Sequence, residues 1–492
     1  MSHQQSNKWL CYTYLITYLI KKFRRFLIIN PAIFRQYDIR GVWGKDLTEE
    51  VAELIGRAFA SYLLKSINKD RAKASIGRDA RLHSKAILDS LIRGLNSSGI
   101  DVIDLGVCPT PLQYYSLFKL PVDGGIMITG SHNPPEFNGF KLSVGKETLF
   151  GDNIQAVRKI IDAGDFKNPP LPPFTKGGMG GFVESYPIID DYVDFVKGKF
   201  PDLSGLKAVI DAGNGTGGLV APRILKALGV DVFELYCEPD GTFPNHHPDP
   251  VVEKNIADLI AKVKETKAHV GIGYDGDADR IGAVDEEGEI IWGDRLLIIF
   301  ARDILKKHKG AKIIGEVKCS QTLYDDIAAH GGTPIMWKTG HSLIKEKLKK
   351  EHAMLAGEMS GHMFFADRYF GYDDAIYASL RLLEILKKSG KPYSTKALLK
   401  GTPRMIATPE IRVDCPDDIK FNIVEKATEA FNEYPSETID GIRIKFEDGW
   451  ALIRASNTQP ALVLRFEAGN ESRLKEIRGF VEERLNRIIK EF

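Results

Sequence analysis

A chain of 492 residues is too long for one small domain and points to three or four. Its 43% apolar and 27% charged residues are those of a globular protein that can bury sizeable cores. A formal net charge of +1 excludes a global field that would recruit nucleic acid or an anionic membrane, and leaves small anions to local clusters of charge.

Residues 1–30 are an extension of uncertain status. An apolar run from Trp9 to Ile20 is followed by a basic cluster. The run is shorter than the ~20 residues needed to span a bilayer, and most of the positive charge lies on the wrong side for a secretory signal. A mis-assigned start, a helix packed on the body and an interfacial anchor all remain open. Five widely spaced cysteines, an odd number with no CxxC pair, argue against a disulfide framework and for a reducing cytoplasm.

From Pro31 strand and helix patterns alternate. "KASIG" and "GIDVIDLG" read as strands with a helix from Ser84 to Ser98 between them, "GGIMI" as a strand, and Asp152 to Ala163 as a helix. The stretch "FKNPPLPPFTKGGMGGF" supports neither helix nor strand and reads as an exposed loop or linker that closes the first unit. "LKAVIDAGNGTGGLVAPRILKALGVDVFELY" is a βαβ unit, and "AHVGIGY" and "RIGAVD" are strands flanking "DGDAD". The alternation resumes with "AKIIGEV", a helix from Gln321 to Ala329, "TPIMW", a helix opened by "TGHS", "AMLAG", and a long helix from Asp373 to Lys388. After Gly401 the pattern becomes α+β, with a helix from Asp418 to Asn432, three strands and a last helix from Glu471. The expected fold class is α/β, with three similar mixed α/β domains and a smaller α+β C-terminal domain. The expected units are 31–185, 186–291, 292–402 and 403–492.

Ligands of open parallel sheets gather at the carboxyl ends of strands, and four polar loops stand at strand ends. In "TGSHNPP", Gly130 and the Pro134–Pro135 pair stiffen the turn around Ser131. No GxSxG is present, so a hydrolase elbow is not supported. Either the loop is a rigid turn with an incidental serine, or Ser131 carries a transferable phosphoryl group, with His132 and Lys141 as cations for phosphate contact or proton transfer. In "DGDADR", Asp275, Asp277 and Asp279 recur at every second position, which in an extended segment puts three carboxylates on one side. That is either a solvated charged turn or a hard-cation site suited to magnesium. A calcium loop fails because Arg280 stands where it needs glycine. "GEMSGH" offers Glu358 and Ser360 to a sugar's hydroxyls or is merely a polar turn, and "RASNTQP" offers Arg454, Ser456, Asn457 and Thr458 as an anion nest.

Together, and in this order, these loops resemble those of the α-D-phosphohexomutases, in particular the bacterial phosphomannomutase/phosphoglucomutase group. "FRQYDIRG", "GRDAR", "DAGNGT" and "PDGTFPNHHPDP" also look like family segments, and the resemblance runs from about Asn30 to the C-terminus. It implies four domains around a central cleft. It implies a phosphoserine at Ser131, which with Asp275, Asp277 and Asp279 would hold one Mg2+. Arg40, Lys141, Arg280, Lys318 and His341 would surround the phosphoserine and the reacting end. Glu358 and Ser360 would read the sugar's hydroxyls, Tyr37 and Gly340 would be substrate-binding, and Arg454, Ser456, Asn457 and Thr458 would bind the non-reacting phosphate. The implied activity interconverts hexose 1-phosphate and hexose 6-phosphate through a hexose 1,6-bisphosphate.

Met359 favours mannose and glucose phosphates over glucosamine phosphate, because glucosamine mutases of the family typically carry glutamine there. The rival readings are a phosphoglucosamine mutase, a haloacid-dehalogenase-like phosphatase with Asp275 as nucleophile and Asp277 as acid/base, and a non-catalytic phosphosugar-binding protein. The phosphatase lacks its usual Thr or Val at position 279 and a downstream GDxxxD. The expected partner is a phosphosugar, with no nucleic acid or membrane contact. The expected assembly is a monomer or weak dimer in the cytoplasm.

Overall fold

A computed structural model of the chain describes residues 29–168, 182–457 and 459–492. Most of the N-terminal extension, positions 169–181 of the Pro/Gly-rich segment, and Thr458 lie outside the described residues. The chain forms four sheets. The first holds β1 (Ile39–Val42), β2 (Ala72–Arg78), β3 (Ile100–Val107), β4 (Gly124–Ile128), β5 (Phe137–Val144), β6 (Glu147–Thr148) and β7 (Val183–Ser185), in the order β1-β5-β4-β2-β3-β7 with β6 on β5. The second holds β8 (Lys207–Asp211), β9 (Asp231–Leu235), β10 (Val270–Tyr274), β11 (Ile281–Asp285) and β12 (Ile290–Ile291), in the order β12-β11-β10-β8-β9. The third holds β13 (Lys312–Glu316), β14 (Thr333–Trp337), β15 (Leu355–Gly357) and β16 (Met363–Phe365), in the order β14-β13-β15-β16. The fourth holds β17 (Ile406–Ala407), β18 (Ile411–Asp414), β19 (Ser436–Glu437), β20 (Ile442–Phe446), β21 (Gly449–Ala455) and β22 (Ala461–Ala468), in the order β17-β22-β21-β20-β19 with β18 also on β22.

The first three sheets repeat one topology. A central strand (β2, β8, β13) pairs in parallel with the next strand on one side (β3, β9, β14) and the following one on the other (β4, β10, β15). That last strand then turns back as an antiparallel hairpin into β5, β11 or β16. Parallel neighbours need a crossover, which helices supply: Ser84–Ser97, Ala221–Ala227 and Gln321–Ala329 for the first step, Thr110–Lys119, Ala257–Thr266 and His341–Glu351 for the second. The hairpin turn is therefore the same place in each repeat, and it holds Ser131, the aspartate triplet and Glu358 respectively.

Most elements lie where the sequence pattern puts them, with two boundary shifts. The long third-unit helix runs Ala375–Ser389, starting after Asp373, because Asp374 caps it by accepting from Tyr377 N at 2.8 Å. The helix expected over 418–432 spans Lys420–Ala430. The sequence pattern does not reveal helices Glu49–Ile67, Thr110–Lys119, Ile188–Lys197, Ala257–Thr266 and Gly293–Lys307.

One apolar cluster joins the first three units through Leu112, Tyr192, Ile210, Leu297, Phe365 and Tyr377, while the first unit also has a separate core around Ile55, Leu91 and Phe140. The fourth has its own, around Ile423, Phe431, Ile453, Phe466 and Val481. It docks on the third through two arginines. Buried Arg443 donates to Val317 O (2.9 Å) and Cys319 O (3.0 Å) and stacks on Trp450 at 3.9 Å, and Arg465 donates to Lys318 O at 2.6 Å. The turn that presents Lys318 is thus held by the neighbouring unit. Arg443→Met leaves two buried carbonyls unpaired and is expected to lower unfolding stability by about 1–3 kcal/mol, with faster hydrogen exchange at 317–321. Unchanged exchange there would contradict this docking.

Candidate active site

Ser131 is held in place by a buried guanidinium. Arg81, paired with Asp79 at 3.0 Å, donates to the carbonyls of Ser131 (2.9 Å), Asn133, Pro134 and Phe137 (3.0 Å). Asp79 also accepts from Gly130 N at 2.9 Å. A Cβ on Gly130 would sit 2.4 Å from the Arg81 side chain, so only glycine lets the arginine under the loop. Ser131 itself is left-handed, φ 48°, a conformation costly for a side chain and kept only where the surroundings impose it. Arg40 adds a brace by donating to Asn133 Oδ1 at 2.9 Å.

The serine hydroxyl points into the second unit. Its Oγ donates to Asp275 Oδ2 at 2.8 Å and lies 3.2 Å from His132 Nδ1. Close approach again requires glycine, since a Cβ on Gly276 would fall 2.6 Å from Ser131 O. The aspartates converge, but not by strand alternation as the spacing implies. The loop coils, with Ala278 left-handed at φ 56°, and Asp279 N and Arg280 N both donate to Asp275 Oδ1 at 3.1 Å. All three carboxylates are buried, with oxygens within 4.8 Å of one another.

At that spacing each like-charged pair repels by about 3–4 kcal/mol at a protein-like effective dielectric. Lys141, from β5, lies against Asp279 and 3.3 Å from Asp277. Arg280 and His362 are the other cations that face the cluster. Burial, then Asp279 and Asp277, push the Asp275 carboxyl well above the usual range, as desolvation and crowded like charges do. Burial opposes the charge on Asp279, but Lys141 and His362 outweigh it and hold that carboxyl well below its ordinary value. Asp277 Oδ1 is buried and receives no hydrogen bond. Three crowded carboxylates with a bare oxygen, an all-oxygen donor set, fit a hard divalent cation.

The third unit is stitched to this loop. Ile281 N donates to Gly361 O at 3.0 Å, and Arg280 Nε lies 3.3 Å from His362 Nε2. Glu358 accepts from Gly340 N at 2.7 Å and pairs with His362 Nδ1 at 2.8 Å; Ser360 Oγ lies 3.1 Å from the same nitrogen. His341 is buried, 3.6 Å from Asp373, and held neutral by burial, then by Lys345 and Lys141. His132, expected as a cation, is likewise held neutral, by burial and then by Arg280 and Arg40. Gly340 has φ 129°, and a Cβ there would strike the Tyr37 ring at 2.4 Å. Tyr37 OH donates to Thr339 O (2.7 Å) and accepts from Asn457 Nδ2 (3.0 Å), joining first, third and fourth units.

Two of the expected site cations face acids: Lys318, expected at the reacting end, pairs with Glu410 at 3.1 Å, and Arg454, expected on the non-reacting phosphate, with Asp440 at 3.0 Å. Ser456 Oγ accepts from Gln459 N at 3.1 Å. Three residues outside the expected set are built into the site. Arg81 lies in "GRDAR" and His362 ends "GEMSGH", so both fell in segments already singled out. Thr110, in "CPTP", carried no signal.

Models of the phosphoglucomutase/phosphomannomutase family match this chain four times: alpha/beta/alpha domain I over 31–168, domain II over 190–288, domain III over 292–400 and the C-terminal domain over 410–484. The chain belongs to the phosphoglucomutase/phosphomannomutase family. Members of similar sequence include the phosphomannomutase/phosphoglucomutase of Pseudomonas putida, 45% identical over 94% of this chain and 96% of that protein. A phosphoglucomutase of Neisseria meningitidis is 44% identical over 90% and 95%. The crystal structure of a phosphoglucomutase/phosphomannomutase family protein from Burkholderia thailandensis superposes with a TM-score of 0.86 at 41% identity, covering 94% of this chain and 98% of that one. As a member of this family the chain is an enzyme of the isomerase class. Within this phosphoglucomutase/phosphomannomutase member, Arg81→Met would strand Asp79 and four carbonyls. Unfolding stability is expected to fall by about 3–5 kcal/mol in denaturant titration, and a loss below about 1 kcal/mol would show that the guanidinium is not the brace.

Proposed function

We propose that the enzyme interconverts the 1-phosphate and 6-phosphate of mannose, glucose or both, through phosphorylated Ser131 and a hexose 1,6-bisphosphate. The observation that carries this is the 2.8 Å contact from Ser131 Oγ to Asp275, which sets the hydroxyl of one unit on the acidic cluster of the next. Sheet membership supports a division into units at 31–185, 186–291, 292–402 and 403–492. The ion assigned to the cluster is Mg2+, held by Asp275, Asp277, Asp279 and the Ser131 oxygen. When bound it would neutralise charge on the transferring phosphoryl group.

The protein's own part is to position and to move a proton. A hydroxyl of the bound monophosphate forms a new P–O bond as the bond from Ser131 Oγ to phosphorus breaks. The proton that the hydroxyl loses is the one Oγ gains, with His132 and Lys141 as the relay beside the loop. The bisphosphate then reverses and returns its other phosphate to Ser131. Arg40 and Arg280 would hold the reacting phosphate, with Lys318 and His341 at the same end. Tyr37, Gly340, Glu358 and Ser360 would take the sugar. Arg454, Ser456, Asn457 and Thr458 would grip the distal phosphate in both orientations, with Asp440 released from Arg454. Closure of the fourth unit would exclude water from the phosphoserine.

A dehalogenase-like phosphatase is disfavoured because both oxygens of Asp275 already accept hydrogen bonds, from Ser131 and from two backbone amides. Met359 supports mannose and glucose over glucosamine. We place the enzyme in the cytoplasm from its cysteine usage, as a monomer or weak dimer; no described helix is long and apolar enough to cross a membrane.

Intact mass of the purified protein is expected to show a fraction carrying one phosphate, mapping to Ser131. Ser131→Ala should lose at least ~10²-fold in turnover, the scale of a lost catalytic group. An active chain never modified at Ser131, or a variant of near-normal turnover, would defeat the scheme. With glucosamine 1-phosphate as comparator, mannose 1-phosphate or glucose 1-phosphate should be the better substrate.

A further inference from the structure

Thr110 belongs to the first unit and the aspartate loop to the second, yet the two are joined twice. Thr110 is fully buried at the start of helix Thr110–Lys119, where Pro109 and Pro111 fix the entry of the chain. Its N–H donates to Asp277 O at 2.9 Å, and its Oγ1 donates to Asp277 Oδ2 at 2.6 Å. Lys141 Nζ lies 3.3 Å from that same Oδ2. The other oxygen, Oδ1, is buried and accepts nothing. One carboxylate thus has a saturated oxygen and a bare one, and the backbone of the residue is clamped as well.

We propose that Thr110 is a positioning residue for the divalent cation: by occupying Asp277 Oδ2 it locks the carboxylate and turns Oδ1 to the ion. This rests on the cation reading of the aspartate cluster. A hydrogen-bonding partner behind a metal ligand fixes its orientation, and its loss typically weakens metal affinity 10- to 100-fold. Here the partner comes from another unit, so the same contact also registers the aspartate loop against the unit that carries Ser131. The topological repeat supports the choice of slot. The helix after β3 begins at Thr110, and the equivalent helix after β14 begins at His341, so both units aim the first residue of this helix at the shared site. The hydroxyl does not reach the substrate in this scheme. It acts through Asp277.

The test is a Mn2+ titration of the full-length dephosphorylated enzyme, with free Mn2+ read by electron paramagnetic resonance, alongside thermal melts. Thr110→Val keeps the shape and removes the donor. It should bind Mn2+ about 10- to 100-fold more weakly, while Thr110→Ser, which keeps the hydroxyl, should stay near the parent. Should the valine variant not fold, Thr110→Ala against Thr110→Ser makes the same comparison. Equal Mn2+ affinity with and without the hydroxyl, whatever the melting temperature, overturns the role assigned to Thr110. Asp277→Asn separates the two levels: if it binds Mn2+ as tightly as the parent, the cation reading itself fails, and if it loses binding while Thr110→Val does not, only the role of Thr110 falls.

Discussion

Three buried carboxylates cannot share one small volume without compensation, and much of the site can be read as the answer to that constraint. Asp275, Asp277 and Asp279 sit at a single hairpin turn. One lysine from the first unit and one histidine from the third lie against them. A bare carboxylate oxygen remains on Asp277 for a dication, and the serine that would share it is delivered by a separate unit. Each unit therefore contributes something the others lack. The nucleophile and the lysine come from the first, the acids from the second, and the histidine and glutamate from the third.

Repetition of one topology explains how this is possible. The β4–β5, β10–β11 and β15–β16 hairpins are equivalent positions in equivalent sheets, so three copies of the same turn face one place with different side chains. The shared apolar core keeps those three units in fixed register. Contacts too close for any side chain then set the loops against each other, at Gly276 under Ser131 and at Gly340 under Tyr37. The fourth unit is built differently. Its core is separate, it docks on the Lys318 turn through Arg443 and Arg465, and it reaches the first unit through Asn457.

The four loops were legible in the sequence because their chemistry is local. Prolines around a serine, acids at every second position, and short polar residues after a strand are all visible without coordinates. Their supports were not, because those contacts are remote. Arg81 reaches carbonyls 50 or more residues away, and Thr110 reaches Asp277 across 167 positions. Helix Thr110–Lys119 escaped notice for a related reason. It is buried around most of its circumference, so it has no polar face to reveal a period. The aspartate spacing suggested the right outcome through the wrong geometry. Alternation would face the acids one way along a strand, whereas the loop coils around Asp275 and gathers them by backbone hydrogen bonds. The three-fold repeat was invisible as sequence similarity and plain as strand order, since topology is set by patterns of burial that many sequences satisfy.

The central claim is that one divalent ion is shared by acids of the second unit and the serine of the first. Anomalous diffraction from crystals of the full-length enzyme grown with Mn2+ tests it most directly. A single strong peak is expected, bonded to carboxylate oxygens of Asp275, Asp277 and Asp279 and to the oxygen, or the phosphate, of Ser131. A peak that leaves the serine out, or none at the aspartates under saturating Mn2+, would contradict it.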